Sequence, residues 1–99
     1  MKKELFQSIL SQILKKYGIS KEEMYEQTKM PDIVNARYLL FYVCIMKGIS
    51  ISRLQILLKA DGFNMTIPTI SKGVKVMEKR ILEDADYSKI ISSINTNQN

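Results

Sequence analysis

Three lysines in the stretch from Ser50 to Leu82 carry the strongest chemical signal in this chain. Lys72, Lys75 and Lys79 fall on one side of a helix, whereas Ile70, Val74, Met77 and Ile81 recur at i, i+4, i+7 and i+11 and line the other. A helix fixed along its apolar face can lay such a row of ammonium groups on a phosphate backbone. Lysine is a compact point charge, so these residues are expected to touch phosphates rather than to read bases. Thr66, Thr69 and Ser71, at the start of the same helix, stand where recognition helices meet base edges. Their hydroxyls discriminate bases weakly, and specificity is expected to be modest. Arg80 flanks the lysines, while Glu78 and Glu83 neutralise part of their field. The same pattern also describes an ordinary solvated face.

Arg37 is the sharpest single residue. An arginine one turn into an otherwise apolar helix must find a partner or reach solvent. Two roles are open to it: a DNA contact, or an ion pair with an acid such as Glu26 or Asp32. Lys29 and Arg53 complete the set of cations expected to reach a nucleic-acid backbone.

Other chemistries lack their residues. The chain has no histidine and one cysteine, Cys44, set in an apolar run where a small buried side chain is expected. Zinc sites of the common nitrogen or sulfur kinds cannot be built from that inventory. No carboxylate pair stands in an apolar setting that would tune a general acid. Gly18, Gly48, Gly62 and Gly73 are scattered and read as helix stops rather than a phosphate-cradling loop. The expectation is therefore no enzyme, no metal, no cofactor and no small-molecule substrate.

The 99 residues, 45% apolar and 25% charged, have the balance of one soluble globular domain. Fifteen Lys and Arg against ten Asp and Glu leave a net charge of +5 and a pI near 9.4, which favours polyanionic partners. The longest apolar run, Tyr38 to Met46, is about half of the roughly 20 residues a membrane span requires. The opening segment, broken by Gln7, Ser8, Ser11 and Gln12, is not the unbroken core of a signal peptide. No membrane association and a cytoplasmic location are expected.

Helices account for the whole pattern. Lys3 to Tyr17 carries a wide apolar stripe, Leu5, Phe6, Ile9, Leu10, Ile13, Leu14 and Tyr17, stopped by Gly18. The stripe is expected to pack in the core, although a helix this apolar could pair with a second copy in a homodimer. Ser20-Lys-Glu-Glu23 is a capping box opening a short helix to about Thr28. After a connection at Met30-Pro31, Asp32 is the expected cap of a central helix, Ile33 to Lys47, apolar on several faces and ended by Gly48. Ser50 caps a fourth helix to Ala60, with Leu54, Leu57 and Leu58 inward, and Asp61-Gly62-Phe63-Asn64 forms a turn. Thr66 or Thr69 begins the fifth helix, with Pro68 in its first turn. A last helix carries Tyr87, Ile90, Ile91 and Ile94, and residues 95–99 form a polar tail expected to fray. The predicted class is all-α: a compact bundle of five to six helices, residues 1–94, containing a helix-turn-helix.

With the helices placed, the order of residues resembles the C-terminal DNA-binding domain of the bacterial replication initiator DnaA, a helical bundle related in architecture to the Trp repressor. Tyr17-Gly-Ile19 is similar to that family's tyrosine-x-isoleucine, and Ile33-Val-Asn-Ala-Arg37 to its valine-alanine-x-x-arginine. Gly48-Ile-Ser50-Ile resembles its glycine-leucine-serine-leucine, and Thr69-Ile-Ser-Lys-Gly-Val its threonine-valine-x-x-alanine run inside the recognition helix. The resemblance spans residues 9 to 82 and implies that Arg37 and Thr69 contact DNA. The family's arginine-aspartate-histidine triplet aligns with Met65, Thr66 and Ile67, its next hydroxyl residue is Pro68 here, and the turn is longer. Of its basic loop only Lys29 remains. The resemblance thus implies the fold without recognition of an initiator box. The expected partner is double-stranded DNA, bound by an accessory or regulatory protein of a cell or a phage. The alternative is a protein-interaction or structural module that keeps the fold without DNA.

Overall fold

The helix that the others surround is α3, Pro31–Met46. Ile33, Ala36, Leu39, Leu40, Phe41, Val43 and Cys44 are all buried on it and cover more than half of its circumference, with Tyr38, Tyr42 and Ile45 half-buried on the rest. The computed structural model describes residues 2–94, and the expected frayed tail, 95–99, lies outside the described residues. Around α3 stand α1 (Lys2–Tyr17), α2 (Lys21–Tyr25), α4 (Ile51–Ala60) and α5 (Ile67–Glu83), and α6 (Ala85–Ser93) packs on α5. There is no strand among the described residues. The all-α class holds.

The buried face of α1 is the expected stripe: Leu5, Phe6, Ile9, Leu10 and Ile13 are closed off, largely against α3. Each side chain of this size contributes about 1.5–3 kcal/mol on full burial. The stripe is consumed inside the chain, so the reason for expecting α1 to pair with a second copy disappears. Helix α5 packs across the other side of α3, burying Ile70 and Met77, with Val74 and Ile81 half-buried beside them.

Gly73 is not a helix stop. It sits in the middle of α5, where a β-carbon would come within 2.7 Å of Tyr38 Cδ1 and 2.9 Å of Phe41 Cδ2. The missing side chain lets α5 approach α3 closely. Gly48 and Gly62 do end helices as expected. At Gly62 (φ 95°) the chain turns back, Phe63 N–H donates to Leu58 O, and Phe63 is planted in the core.

Two boundaries differ from the sequence reading. Helix α2 opens on the expected capping box, Ser20 with Glu23, yet ends at Tyr25 rather than near Thr28. Helix α3 begins at Pro31 with Met30 as its cap, so Asp32 lies inside the first turn and is not the cap. Proline fits the first helical position because it has no amide hydrogen to leave unpaired there.

Candidate nucleic-acid interface

The turn between α4 and α5 decides where the front of α5 points, and it is anchored at both ends. At the α4 end, Asp61 Oδ2 accepts from the Tyr25 hydroxyl at 2.7 Å. Its Oδ1 accepts from Gln7 Nε2 at 3.2 Å and from Lys21 Nζ at 3.3 Å. One carboxylate thus ties α1 and α2 to the end of α4. Burial pushes the Asp61 carboxyl up, but these three donors outweigh it and hold it below its ordinary value. Burial, and then the bond to Asp61, push the Tyr25 hydroxyl well above its ordinary value. Phe63 stacks on Tyr25 with ring centroids 4.5 Å apart. At the α5 end, Gln55 Nε2 donates to Met65 O at 3.0 Å. Thr66, the first of the two expected starts, caps α5 by accepting from Thr69 N–H at 3.3 Å.

Arg37 lies beneath this turn. Its residue exposure is 9%. Nε donates to Met24 O at 2.8 Å and Nη2 donates to Glu26 O, while the guanidinium carbon lies 5.4 Å from the centre of the Phe63 ring. The acid partners foreseen for it are replaced: Arg37 holds backbone carbonyls, that of Glu26 and not its carboxylate, and Asp32 takes no part. This also accounts for the early end of α2: the carbonyl of Met24 in its last turn and that of Glu26 just past its end are turned to the guanidinium. Desolvation lowers the Arg37 pKa, but an arginine remains a cation at neutral pH.

A shallow cleft of about 390 Å³ opens above the guanidinium. Lys29, Arg37, Thr66 and Thr69 all line it, so four residues singled out from sequence meet at one place. Lys72, Lys75 and Lys79 continue from there along α5, each exposed, and none has an ion-pair partner among the described residues. Ser71 is half-buried, and Arg53 is exposed in the first turn of α4, outside the lining of the cleft. Arg80 does not extend the ridge. It is half-buried near Tyr17, with Nη1 enclosed and without a hydrogen-bond partner among the described residues.

A larger concavity, about 510 Å³, lies between α1, α3 and α6. Asp32, Asp84 and Asp86 line it, a charge unsuited to a phosphate. Among the described residues no group of acids and cysteine is placed to hold a metal ion, and no helix is long and apolar enough to cross a membrane. Cys44 is fully buried, and burial pushes its thiol far up.

Sequence reasoning missed the residues that aim the site: Tyr25, Asp61, Phe63 and Gln55. Only Phe63 left a signal, as an aromatic residue directly after a helix-ending glycine, the position that commonly packs back on the helix. No protein-family model, no curated protein and no solved structure matches this chain.

Proposed function

We propose that this chain is a small duplex-DNA-binding protein of the helix-turn-helix kind, accessory or regulatory in replication or transcription. Helices α4 and α5 form the motif and α5 enters the major groove. The observation that carries the reading is the ridge of α5. Its three lysines are exposed and, among the described residues, without an ion-pair partner; they stand opposite a face buried on α3, and the ridge begins beside a cleft holding Lys29 and Arg37. Lys72, Lys75 and Lys79 clamp phosphates, Lys29 adds a contact from the loop before α3, and Arg37 supports the floor beneath. Arg53 extends the positive surface on α4. The short motifs resembling the DnaA C-terminal domain agree with this placement of the helices.

Binding of fluorescent duplex DNA at low and moderate salt tests the proposal. Each phosphate neutralised contributes about −0.9 to the slope of log affinity against log salt. The wild type is expected to bind with a steep slope and Lys72→Glu/Lys75→Glu to lose binding. Absence of binding at low salt rejects the proposal and favours a protein-interaction module. One observation favours that second reading: Met46, Ile56 and Leu82 are 62%, 59% and 89% exposed. Isolated apolar side chains are nevertheless ordinary on protein surfaces.

A further inference from the structure

The first turn of α5 is poor in hydrogen-bonding groups and rich in exposed carbon. Between Met65 and Lys75 there is no arginine, asparagine or glutamine, the planar side chains that pair two hydrogen bonds with one base. The two threonines there are largely engaged with each other. Their hydroxyl oxygens are 2.9 Å apart, and Thr66 Oγ1 also accepts the Thr69 amide. One hydroxyl proton remains free between them.

Apolar surface takes the place of the missing donors. Ile67 is 39% exposed. Pro68 is exposed as well, and with Lys72, Lys75 and Lys79 it follows the spacing i, i+4, i+7 and i+11, so it leads the lysine ridge. Pro68 therefore stands at the front of the ridge, while Ile67, three residues before Ile70 and seven before Val74, lies beside it in the same leading turn, toward the face packed on α3. In the major groove the one base substituent that rewards apolar contact is the C5-methyl group of thymine.

We infer that the leading turn of α5 reads thymine C5-methyl groups through Ile67 and Pro68, giving preference for A·T over G·C pairs at the contacted positions. This rests on the duplex-DNA reading above. The lysines supply affinity without sequence preference, and the methyl contacts supply the preference.

Four short duplexes test it: alternating A·T, the same with deoxyuridine for thymidine, alternating G·C, and the same with 5-methylcytosine. Removing the methyl from A·T should weaken binding about fourfold per methyl contacted, and adding it to G·C should strengthen binding by a similar factor. Ile67→Ser should lower the ratio between thymidine and deoxyuridine duplexes, leaving what Pro68 contributes, while keeping the salt slope. Ile67→Leu should retain the ratio. Equal wild-type affinity for thymidine and deoxyuridine duplexes, with salt-sensitive binding to both, overturns methyl reading and leaves DNA binding standing. Tighter binding to unmethylated G·C, or an unchanged ratio in Ile67→Ser, also overturns it. No binding to any duplex at low salt overturns both.

Discussion

Gly73 of α5 lies flat against the ring of Tyr38 on α3, with no room between them for a methyl group. A β-carbon at position 73 would stand 2.7 Å from Tyr38 Cδ1 and 3.1 Å from Tyr38 Cε1, and Phe41, fully buried, closes the other side at 2.9 Å. In an exposed helix, alanine in place of glycine stabilises by about 1 kcal/mol. Here the sign is expected to reverse. Gly73→Ala must push two aromatic rings aside, and overpacking of this kind costs about 1–3 kcal/mol. Urea unfolding of the variant should show a lower midpoint, and a stabilised variant would mean that the two helices are not in such close contact.

Arg37 is expected to behave as a structural residue first. Arg37→Lys keeps the charge but loses the planar fork that reaches Met24 O and Glu26 O together. Hydrogen bonds to a charged donor are worth about 1.5–3 kcal/mol, and the variant should lose stability of that order in urea. If it is as stable as the wild type while DNA affinity falls, the arginine belongs to the interface and not to the scaffold.

The Tyr25–Asp61 bond should shape stability at both ends of the pH scale. The folded Asp61 carboxyl is held low, so its stabilisation is complete above the ordinary carboxylate value of about 3.9 and is lost as pH falls through the lower folded value. The Tyr25 hydroxyl is held high, so its contribution is complete below about 10 and is lost as pH rises beyond that. Melting temperature followed from acid to alkaline pH should fall at both extremes in the wild type. Asp61→Asn should flatten the acid limb, and Tyr25→Phe the alkaline one.

The helices were legible because their signals are local. The stripe on α1, the box at Ser20 and Glu23, and the spacing of Ile70, Val74, Met77 and Ile81 on α5 each need only a few neighbouring residues. The end of α2 was not legible, since Arg37, 13 residues from Met24 in sequence, supplies the donor that stops it. Gly73 was misread for the same reason: a glycine that ends a helix and one that admits a neighbouring helix look alike until α3 is in place. At the candidate interface, the lysine ridge follows from periodicity alone. That Lys29, Arg37, Thr66 and Thr69 share one cleft follows from Asp61 and Phe63, whose partners lie on other helices.

The lysine ridge also makes a prediction about salt that separates it from diffuse positive charge. If Lys72, Lys75 and Lys79 each neutralise one phosphate, removing any of them should reduce the steepness of the log–log salt dependence by about 0.9. Lys72→Gln, Lys75→Gln and Lys79→Gln are expected to do so with little change in melting temperature, because all three side chains are exposed. Lys89→Gln, which removes an equal charge from an exposed position on α6, should leave the slope unchanged. Equal effects from all four would show that DNA responds to the net charge of +5 and not to the ordered row on α5.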